Sequence, residues 1–267
     1  MAATPHVLTV AGSDPSGGAG IQADLKTFAA FRVYGMAVVT ALTAQNTRGV
    51  RAIHGPPPEF VAAQLDAILD DIRVDGAKTG MLPNAATIRV VADRLAGRLA
   101  APLVVDPVMV ATSGDRLIEE EAVAALVDHL FPLATLLTPN REEAAILARR
   151  PVDDLSGARS AGREILSRGA RAVLVKGVPD GADLVDLLLS PGEERAYRHT
   201  ALRVGPTHGT GCTLSAAIAA GLARGTSLPE AVERAVDYVG RAIRAARPVG
   251  GGGLPLDHLV RPGDGGP

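Results

Sequence analysis

The chain has 267 residues, a formal net charge of −2, 47% hydrophobic residues and only 3% aromatic residues. This length and apolar content predict a folded protein with a substantial core, while the scarce aromatics and the lack of a basic cluster argue against nucleic-acid binding. A single cysteine excludes an internal disulfide and a cysteine-rich metal site, which fits a reducing compartment. The sequence shows no signal-peptide pattern and no apolar run of about 18 residues, so we expect a soluble, cytoplasmic protein with no membrane span.

Short β-branched runs alternate with helical patterns along the chain. Near-continuous apolar runs such as Ala172–Val175 are typical of strands that are covered on both faces. The predicted strands are His6–Ala11, Met36–Leu42, Gly76–Thr79, Pro102–Pro107, Ala134–Thr138 and Arg171–Lys176. The predicted helices are Gly20–Phe31, Pro58–Asp71, Asn84–Leu99, Glu119–Leu130, Leu155–Arg168 and Leu228–Ala246.

Several of these helices begin with recognisable signals. Pro58 suits a first helical turn, and Asn84 is a plausible N-cap because its side chain can accept a backbone N–H bond. Ser227 and Glu230 have the spacing of a capping box.

The alternation of strands and helices predicts right-handed βαβ units and a mainly parallel sheet, hence an α/β protein. Leu184–Leu189 and Arg195–Leu202 are candidates for an antiparallel pair at one edge of that sheet. With no internal repeat and no convincing linker, we expect a single domain over residues 1–267, in which residues 250–267 form a loop and a flexible tail.

The segment Thr207–Thr213 is a glycine-rich turn that runs directly into a helix of small residues. The unpaired backbone N–H groups and the dipole at a helix start favour an anion, most often a phosphate. Cys212 lies at this electropositive end, which predicts a thiol pKa lowered toward the thiolate. The alternative is that Cys212 is a small buried hydrophobe and that Gly209 and Gly211 merely turn the chain.

Other polar segments follow the predicted strands, where an open parallel sheet binds its ligands. These segments are residues 11–20, Asp106–Met109, Thr138–Glu143 and Lys176–Gly177. Each by itself could be an ordinary turn or a solvated charge. Their joint placement predicts that this edge of the sheet carries the active site.

Two familiar nucleotide motifs are incomplete in the first glycine-rich segment. Gly18–Ala23 has dinucleotide-like glycines, but it starts several residues after the strand and lacks the later acidic residue. Gly12–Gly17 has the spacing of a Walker loop without its Lys-Ser/Thr ending. A nicotinamide-dependent dehydrogenase is therefore unsupported.

Five segments in order resemble those of the hydroxymethylpyrimidine/phosphomethylpyrimidine kinase family, in the ribokinase-like superfamily. They are AGSDPSGGAGIQADLKTF (11–28), TALTAQNT (40–47), TGML (79–82), DPVMVATSGD (106–115) and THGTGCTLSAAIAA (207–220). The resemblance implies a three-layer α/β/α fold and a homodimer that binds ATP and Mg²⁺. It further implies phosphoryl transfer to 4-amino-5-hydroxymethyl-2-methylpyrimidine and then to its monophosphate, in thiamin biosynthesis.

The same resemblance implies which residues form the substrate pocket. A carboxylate and a carboxamide suit an aminopyrimidine edge, which offers both donors and acceptors. The alternatives are an exposed helix charge for Asp24, a loop cap for Gln45 and core packing for Met81. The implied substrate-binding residues are Gly12, Asp24, Gln45, Met81 and Val108.

The resemblance also implies a metal and phosphate site. Asp106 and Glu143 would bind Mg²⁺ largely through water, although Glu143 could simply complement its helix dipole. ATP and its phosphates would contact Asn140, Lys176 and Thr207. The transferring phosphoryl group would be held by Gly209, Thr210 and Gly211.

Cys212 stands where most ribokinase-like kinases have a catalytic aspartate. It would either act as the general base on the substrate hydroxyl or only position that hydroxyl. Two other functions stay open at this point. One is a pyridoxal/pyridoxine kinase of the same superfamily, whose substrate is also a hydroxymethylated nitrogen ring. The other is a non-catalytic vitamin- or phosphate-binding sensor.

Overall fold

A mixed sheet of nine strands runs through the described part of the chain, with helices on both of its faces. The computed structural model describes residues 3–109, 120–201, 205 and 207–263. Residues 110–115 of the DPVMVATSGD segment and residues 264–267 of the expected tail lie outside these ranges.

The eight predicted strands are all present, most of them with shifted ends, and three further strands were not predicted. The strands are β1 (His6–Ser13), β2 (Tyr34–Asn46), β3 (Gly49–His54), β4 (Gly76–Thr79), β5 (Leu103–Val105), β6 (Leu136–Leu137), β7 (Val173–Asp180), β8 (Asp183–Ser190), β9 (Glu193–Thr200), β10 (Thr207–His208) and β11 (Leu254–Pro255). Those not predicted are β3, β10 and β11. The sequence placed the end of β7 at Lys176, but the strand continues to Asp180 past an irregularity between Val175 and Val178.

The helices are α1 (Gly20–Ala30), α2 (Pro58–Leu69), α3 (Ala85–Leu95), α4 (Glu120–Ala125), α5 (Arg141–Ala148), α6 (Leu155–Leu166), α7 (Thr210–Ala223) and α8 (Leu228–Ala245). The predicted helix Glu119–Leu130 changes its hydrogen-bond period along its length, since α4 passes into a π-helical turn over Leu126–Leu130. In the described ranges, no helix combines the length and the apolar character that crossing a bilayer requires.

The strand order confirms a mainly parallel sheet with antiparallel edges. The order is β3-β2-β1-β4-β5-β6-β7-β8-β9. Strands β1, β2 and β4 to β7 are parallel, and the predicted antiparallel edge pair appears as β8 and β9. The sequence prediction missed β3, because residues 51–54 are exposed and carry no buried apolar pattern.

Two apolar clusters make the fold three-layered, as expected. In β5, Leu103 and Val105 join the cluster under α2 to α6, while Val104 joins the opposite cluster under α1, α7 and α8. Both faces of the central strands are buried, which explains their near-continuous apolar sequence. The parallel strands therefore end together at one edge of the middle layer.

The glycine-rich segment at residues 250–253 is attached to this edge. Gly253 N donates to Thr47 O at 2.7 Å, and Gly252 N donates to Thr47 Oγ1 at 3.2 Å. Directly afterwards β11 pairs in parallel with β10. The expected free loop is thus an anchored one, because its backbone donors are satisfied by the turn after β2.

The helix-start signals have different outcomes. Asn84 Oδ1 accepts a hydrogen bond from Thr87 N at 2.9 Å, which confirms the predicted N-cap of α3. The capping box predicted from Ser227 is wrong, because its side chain makes no capping hydrogen bond with any described residue. Pro229 and the packing of α8 on α7 define that helix start instead.

We expect Asn84→Ala to lower the free energy of unfolding by about 1 kcal/mol, because it leaves a helix N–H without its acceptor. Ser227→Ala is the matched control and should change the free energy of unfolding by only a few tenths of a kcal/mol at most. Urea unfolding of both variants measures the two values. Equal losses would contradict this assignment of the caps.

Candidate active site

A cavity of about 360 Å³ opens at the carboxyl ends of the parallel strands. It lies between the loop after β1 and the turn that begins α7. All but one of the residues predicted for the site line this cavity. They are Gly12, Gln45, Met81, Asp106, Val108, Asn140, Glu143, Lys176, Thr207, Gly209, Thr210, Gly211 and Cys212.

A second cavity of about 780 Å³ adjoins the first. The two cavities share five lining residues, Asn140, Lys176, Thr207, Thr210 and Gly211. The far wall of the second cavity is largely apolar and includes Leu214 and residues of α8. An elongated ligand with a polar middle can therefore reach from one cavity into the other. The sequence prediction did not identify this apolar wall, because its residues look like ordinary core positions.

The turn before α7 depends on Gly209. Its φ is +87°, which favours glycine, and a Cβ there would collide with the carbonyl of Gly18. The turn therefore packs directly against the loop after β1. Helix α7 begins at Thr210, so its first backbone N–H groups lack intrahelical acceptors and lie at the cavity. The predicted helix start is therefore present at the cavity, and free N–H groups in this position are typical of anion sites.

Charged groups converge on the same turn. A Cβ on Gly211 would lie 3.3 Å from Lys176 Nζ and 3.6 Å from Asp106 Oδ2. Lys176 Nζ donates to Asp106 Oδ1 at 2.9 Å, and Thr138 Oγ1 donates to the same oxygen at 2.9 Å. Burial alone would raise the pKa of Asp106, but the positive charges of Lys176 and Lys78 lower it. The carboxylate is therefore ionised beside a lysine at the helix start.

Glu143 has a structural role and also faces the cavity. Its Oε2 accepts from Asn140 N at 2.8 Å, while Asn140 Oδ1 accepts from Glu143 N at 2.8 Å. These bonds form a capping box at the start of α5, so the alternative of a helix-start acid is also correct. Burial raises the pKa of Glu143 to about 7, against the opposing effect of Lys176.

The carboxylates of Asp106 and Glu143 suit a hard cation that keeps much of its water. The described residues contain no group of three or more His, Cys, Asp and Glu able to enclose a metal. Magnesium is commonly held by one or two carboxylates together with water and phosphate oxygens. The donor set therefore fits Mg²⁺ delivered with a polyphosphate and does not fit a closed structural metal site.

Asp24 is the predicted site residue that the structure places elsewhere. It is fully buried and absent from the described lining of the cavity. Lys78 Nζ donates to both of its oxygens at 2.9 Å, and Thr9 Oγ1 donates at 2.7 Å. Burial alone would lower the pKa of Lys78, but Asp24 raises it, so the pair is ionic. Asp24 therefore compensates a buried lysine and lies behind the described lining of the cavity.

The prediction of a lowered pKa for Cys212 is wrong. Burial raises the thiol pKa from 9.0 to about 11. The positive charge of Lys78 and a hydrogen bond from the backbone of Gly20 act in the opposite direction, but Asp24 and Asp106 add to the increase. Because burial is not visible in a local motif, the sequence indicated only the favourable helix start. Cys212 is a neutral thiol in the free protein.

Sequence reasoning missed a polar group on the other wall of the cavity. His208 Nε2 lies 2.9 Å from Asp14 Oδ2 and 3.0 Å from Gln45 Nε2. Thr43 Oγ1 contacts Gln45 Oε1 at 3.1 Å, and all four residues line the cavity. The signal for Asp14 and His208 was their presence inside two of the quoted motifs.

The three-layer fold and this site define a small-molecule kinase. The helix start, Lys176 and two carboxylates lie between a small cavity with hydrogen-bonding walls and a larger, partly apolar one. This arrangement provides a position for a transferring phosphoryl group between an acceptor and a nucleotide.

Comparisons with known proteins identify the family. Residues 14–257 match the family described as phosphomethylpyrimidine kinase. The chain is 50% identical over 254 residues to the hydroxymethylpyrimidine/phosphomethylpyrimidine kinase of Streptomyces coelicolor, covering 95% of this chain and 94% of that relative. It is also 51% identical over 255 residues to the thiamine biosynthesis bifunctional protein of Geobacter sulfurreducens. That match covers 95% of this chain but only 52% of the Geobacter protein, so this chain spans about half the length of that relative. The chain belongs to the phosphomethylpyrimidine kinase family.

A solved structure confirms the ribokinase-like fold. The ADP complex of Bacillus subtilis pyridoxal kinase matches with a TM-score of 0.89 at 35% identity, covering 96% of this chain and 98% of that one. The fold is therefore shared with a kinase whose named substrate is a different nitrogen ring.

Removing one partner of the Asp24–Lys78 pair should destabilise the protein strongly. We expect Asp24→Leu or Lys78→Met alone to lower the free energy of unfolding by about 3–5 kcal/mol, because each leaves a buried charge uncompensated. The double variant should lose clearly less than the sum of the two. A double-mutant cycle by urea unfolding measures the coupling. Additive losses would contradict a buried ionic pair.

The raised pKa of Cys212 predicts that the thiol is alkylated slowly near neutral pH and that the rate rises only at high pH. Thiolate is the reactive form, so the rate with iodoacetamide should rise steadily up to pH 9.5 without a plateau. At pH 8 it should be roughly tenfold or more below that of a cysteine peptide, the control. Because the chain has one cysteine, mass spectrometry reads this residue alone. A plateau near pH 7 would instead indicate a stabilised thiolate.

Proposed function

We propose that this chain transfers the γ-phosphoryl group of MgATP to 4-amino-5-hydroxymethyl-2-methylpyrimidine and then to its monophosphate, in thiamin biosynthesis. The observation that carries the proposal is the junction of the two cavities at Gly211, where Lys176 and Asp106 meet the start of α7. Membership of the phosphomethylpyrimidine kinase family gives the chemical class of the substrate.

The smaller cavity suits the pyrimidine ring. Gln45 offers an amide to the amino and ring-nitrogen edge, while Met81 and Val108 supply apolar contact. A Cβ on Gly12 would lie 3.4 Å from Met81 Sδ, so glycine at this position leaves room for the thioether against β1. Asp24 takes no part in ring binding in this proposal.

The phosphates of ATP belong at the shared wall of the two cavities. Lys176 contributes a positive charge, while Gly209, Thr210 and Gly211 direct backbone N–H groups at the transferring group. Asp106 and Glu143 would hold Mg²⁺, which neutralises charge on the phosphate oxygens. Asn140 and Thr207 contact the nucleotide side, and the apolar wall from α8 covers the base.

Cys212 faces the substrate hydroxyl in this arrangement as a neutral thiol. Phosphoryl transfer passes through a loose transition state, so the attacking hydroxyl needs little deprotonation before the bond to ATP breaks. A protonated Cys212 has no lone proton-accepting thiolate, so it orients the hydroxymethyl group and leaves the hydroxyl proton on the substrate oxygen until the bond to ATP has largely broken. This favours the positioning role over a preformed base.

The alternatives explain less. The fold is shared with a pyridoxal kinase, so fold alone does not select the ring, but the named relatives at 50% identity act on hydroxymethylpyrimidine. A non-catalytic sensor would not need Lys176, Asp106 and the helix start together.

A homodimer is also part of the proposal, supported by the edge strand β3 and by Leu42 and Ile53, which are 49% and 43% exposed. Cytoplasmic location stays a prediction.

Purified protein with hydroxymethylpyrimidine and MgATP should consume about two molecules of ATP per pyrimidine and yield the diphosphate. A coupled ADP assay with mass spectrometry of the product measures both. Cys212→Ser is the comparison variant and should keep kcat within about tenfold of the wild-type value, because a serine hydroxyl can also orient the substrate hydroxyl.

Two outcomes would contradict the proposal. Turnover of pyridoxine with no turnover of either pyrimidine would indicate the rival kinase. Binding of the pyrimidine phosphate without any ATP consumption would indicate a sensor. A fall in kcat of about 10²-fold or more in Cys212→Ser would leave the reaction class intact but would indicate that Cys212 acts as a general base.

A further inference from the structure

A short hydrogen-bonded chain crosses the wall of the smaller cavity. Asp14 Oδ2 lies 2.9 Å from His208 Nε2, which lies 3.0 Å from the amide of Gln45. The other end of that amide contacts Thr43 Oγ1 at 3.1 Å, and Thr43 Oγ1 donates to the carbonyl of Ser13 at 2.9 Å. The positions of the protons along this chain decide what Gln45 offers to a ligand.

The charge on Asp14 fixes the first proton. Burial would raise the pKa of Asp14, but hydrogen bonds from His208, Ser16 and Ala19 lower it to about 2. The carboxylate is thus ionised and can only accept hydrogen bonds. At 2.9 Å, a bare His208 Nε2 would place a lone pair against that charge. The imidazole therefore carries hydrogen on Nε2.

The second contact of His208 then fixes the orientation of the Gln45 amide. An amide NH₂ group 3.0 Å from an N–H would set two donors against each other. Rotation of the amide by 180° exchanges its oxygen and nitrogen and resolves the conflict. The amide oxygen then shares the single Nε2 hydrogen of His208 with Asp14 Oδ2 in a three-centre hydrogen bond, and the NH₂ group donates to Thr43.

The contacts of Thr43, at the far end of this series of hydrogen bonds, agree with this orientation of the Gln45 amide. Thr43 Oγ1 has one hydrogen, which the carbonyl of Ser13 accepts at 2.9 Å. Its oxygen is then an acceptor toward Gln45, as the rotated amide requires. Every contact from Asp14 to Ser13 then pairs a donor with an acceptor, and the Nε2 hydrogen of His208 is shared between two acceptors.

The imidazole has little freedom to leave this position. A Cβ on Gly18 would lie 2.7 Å from His208 Cδ2 and 3.2 Å from Pro255 Cβ, so the ring packs tightly between the first loop and β11. The side chain of His208 is 14% exposed. The packing holds the ring, and Asp14 holds its proton.

We propose that His208 is a positioning residue that fixes the amide of Gln45 with its oxygen toward Nε2 of the imidazole and its nitrogen toward Thr43. The proposal rests on the proposed function and deepens it. After these contacts Gln45 keeps one N–H and one oxygen lone pair side by side in the amide plane. Their complement is a ring nitrogen beside an amino group, which an aminopyrimidine has and a hydroxypyridine lacks. His208 thereby selects the ring class.

Long-range ¹H–¹⁵N correlation of the imidazole groups in the wild-type protein tests the proton placement. The spectrum of His208→Gln identifies the resonances of His208. Hydrogen on Nε2, in the neutral ring or the imidazolium, is the expected result. A neutral ring with hydrogen on Nδ1 only would overturn the proposal, because Gln45 would then donate to His208.

Kinetics test the consequence with two variants of matched length. His208→Met removes the donor, and His208→Gln keeps an N–H at a similar distance from the backbone. We expect His208→Met to raise KM for hydroxymethylpyrimidine about tenfold with kcat changed less than threefold, and His208→Gln to restore most of the loss. The KM for pyridoxine, where measurable, should change little, so the selectivity between the rings falls.

The outcomes separate the possible failures. Absence of turnover by the wild-type protein overturns the proposed function itself. Wild-type turnover with an unchanged KM in His208→Met overturns the role of His208. Equal losses for both rings, a large fall in kcat, or failure of His208→Gln to restore activity would indicate that His208 only supports the loop, and would also overturn the proposal.

Discussion

The backbone contact between Gly209 and Gly18 is the constraint from which the site follows. No side chain fits between the turn before α7 and the loop after β1, and the positive φ of Gly209 aims the helix start at the cavity. His208 and Asp14 join the same two segments by a hydrogen bond at 2.9 Å. Two stretches almost two hundred positions apart thereby form one wall. The side of the cavity lined by Gln45 and the side lined by the start of α7 are fixed relative to each other by this wall.

Two lysine–carboxylate ion pairs balance the charges near that wall. Lys78 is neutralised by Asp24 inside the core, and Lys176 by Asp106 at the cavity. Each lysine has a carboxylate within 2.9 Å, so the positive charges at the site are balanced before any ligand binds. Cys212 lies close enough to these groups for them to affect its pKa, yet burial keeps it neutral. Among the described residues of the site, Lys78 and Lys176 are therefore each paired with a carboxylate.

The strands and the sheet edge were predictable because apolar periodicity and parallel topology determine them directly. The run at Val173–Val175 was recognisable as a buried strand, and Lys176 after it pointed to the correct edge. Motif matching placed Asp24 near the substrate, but a motif does not show the direction of a side chain, and Asp24 turns inward to Lys78. The local helix start likewise indicated a low pKa for Cys212, whereas burial is a property of the whole fold.

The segment beyond α8 has a consequence for how the protein is made. Gly253 is bonded to Thr47, and β11 pairs with β10. His258 Nε2 lies 2.9 Å from Thr213 Oγ1, which donates to Gly209 O. A ribosome releases these residues after the nine-stranded sheet is already available to fold. The scaffold can thus form while the chain is still growing, but the turn before α7 acquires its last supports only when the segment after α8 has emerged.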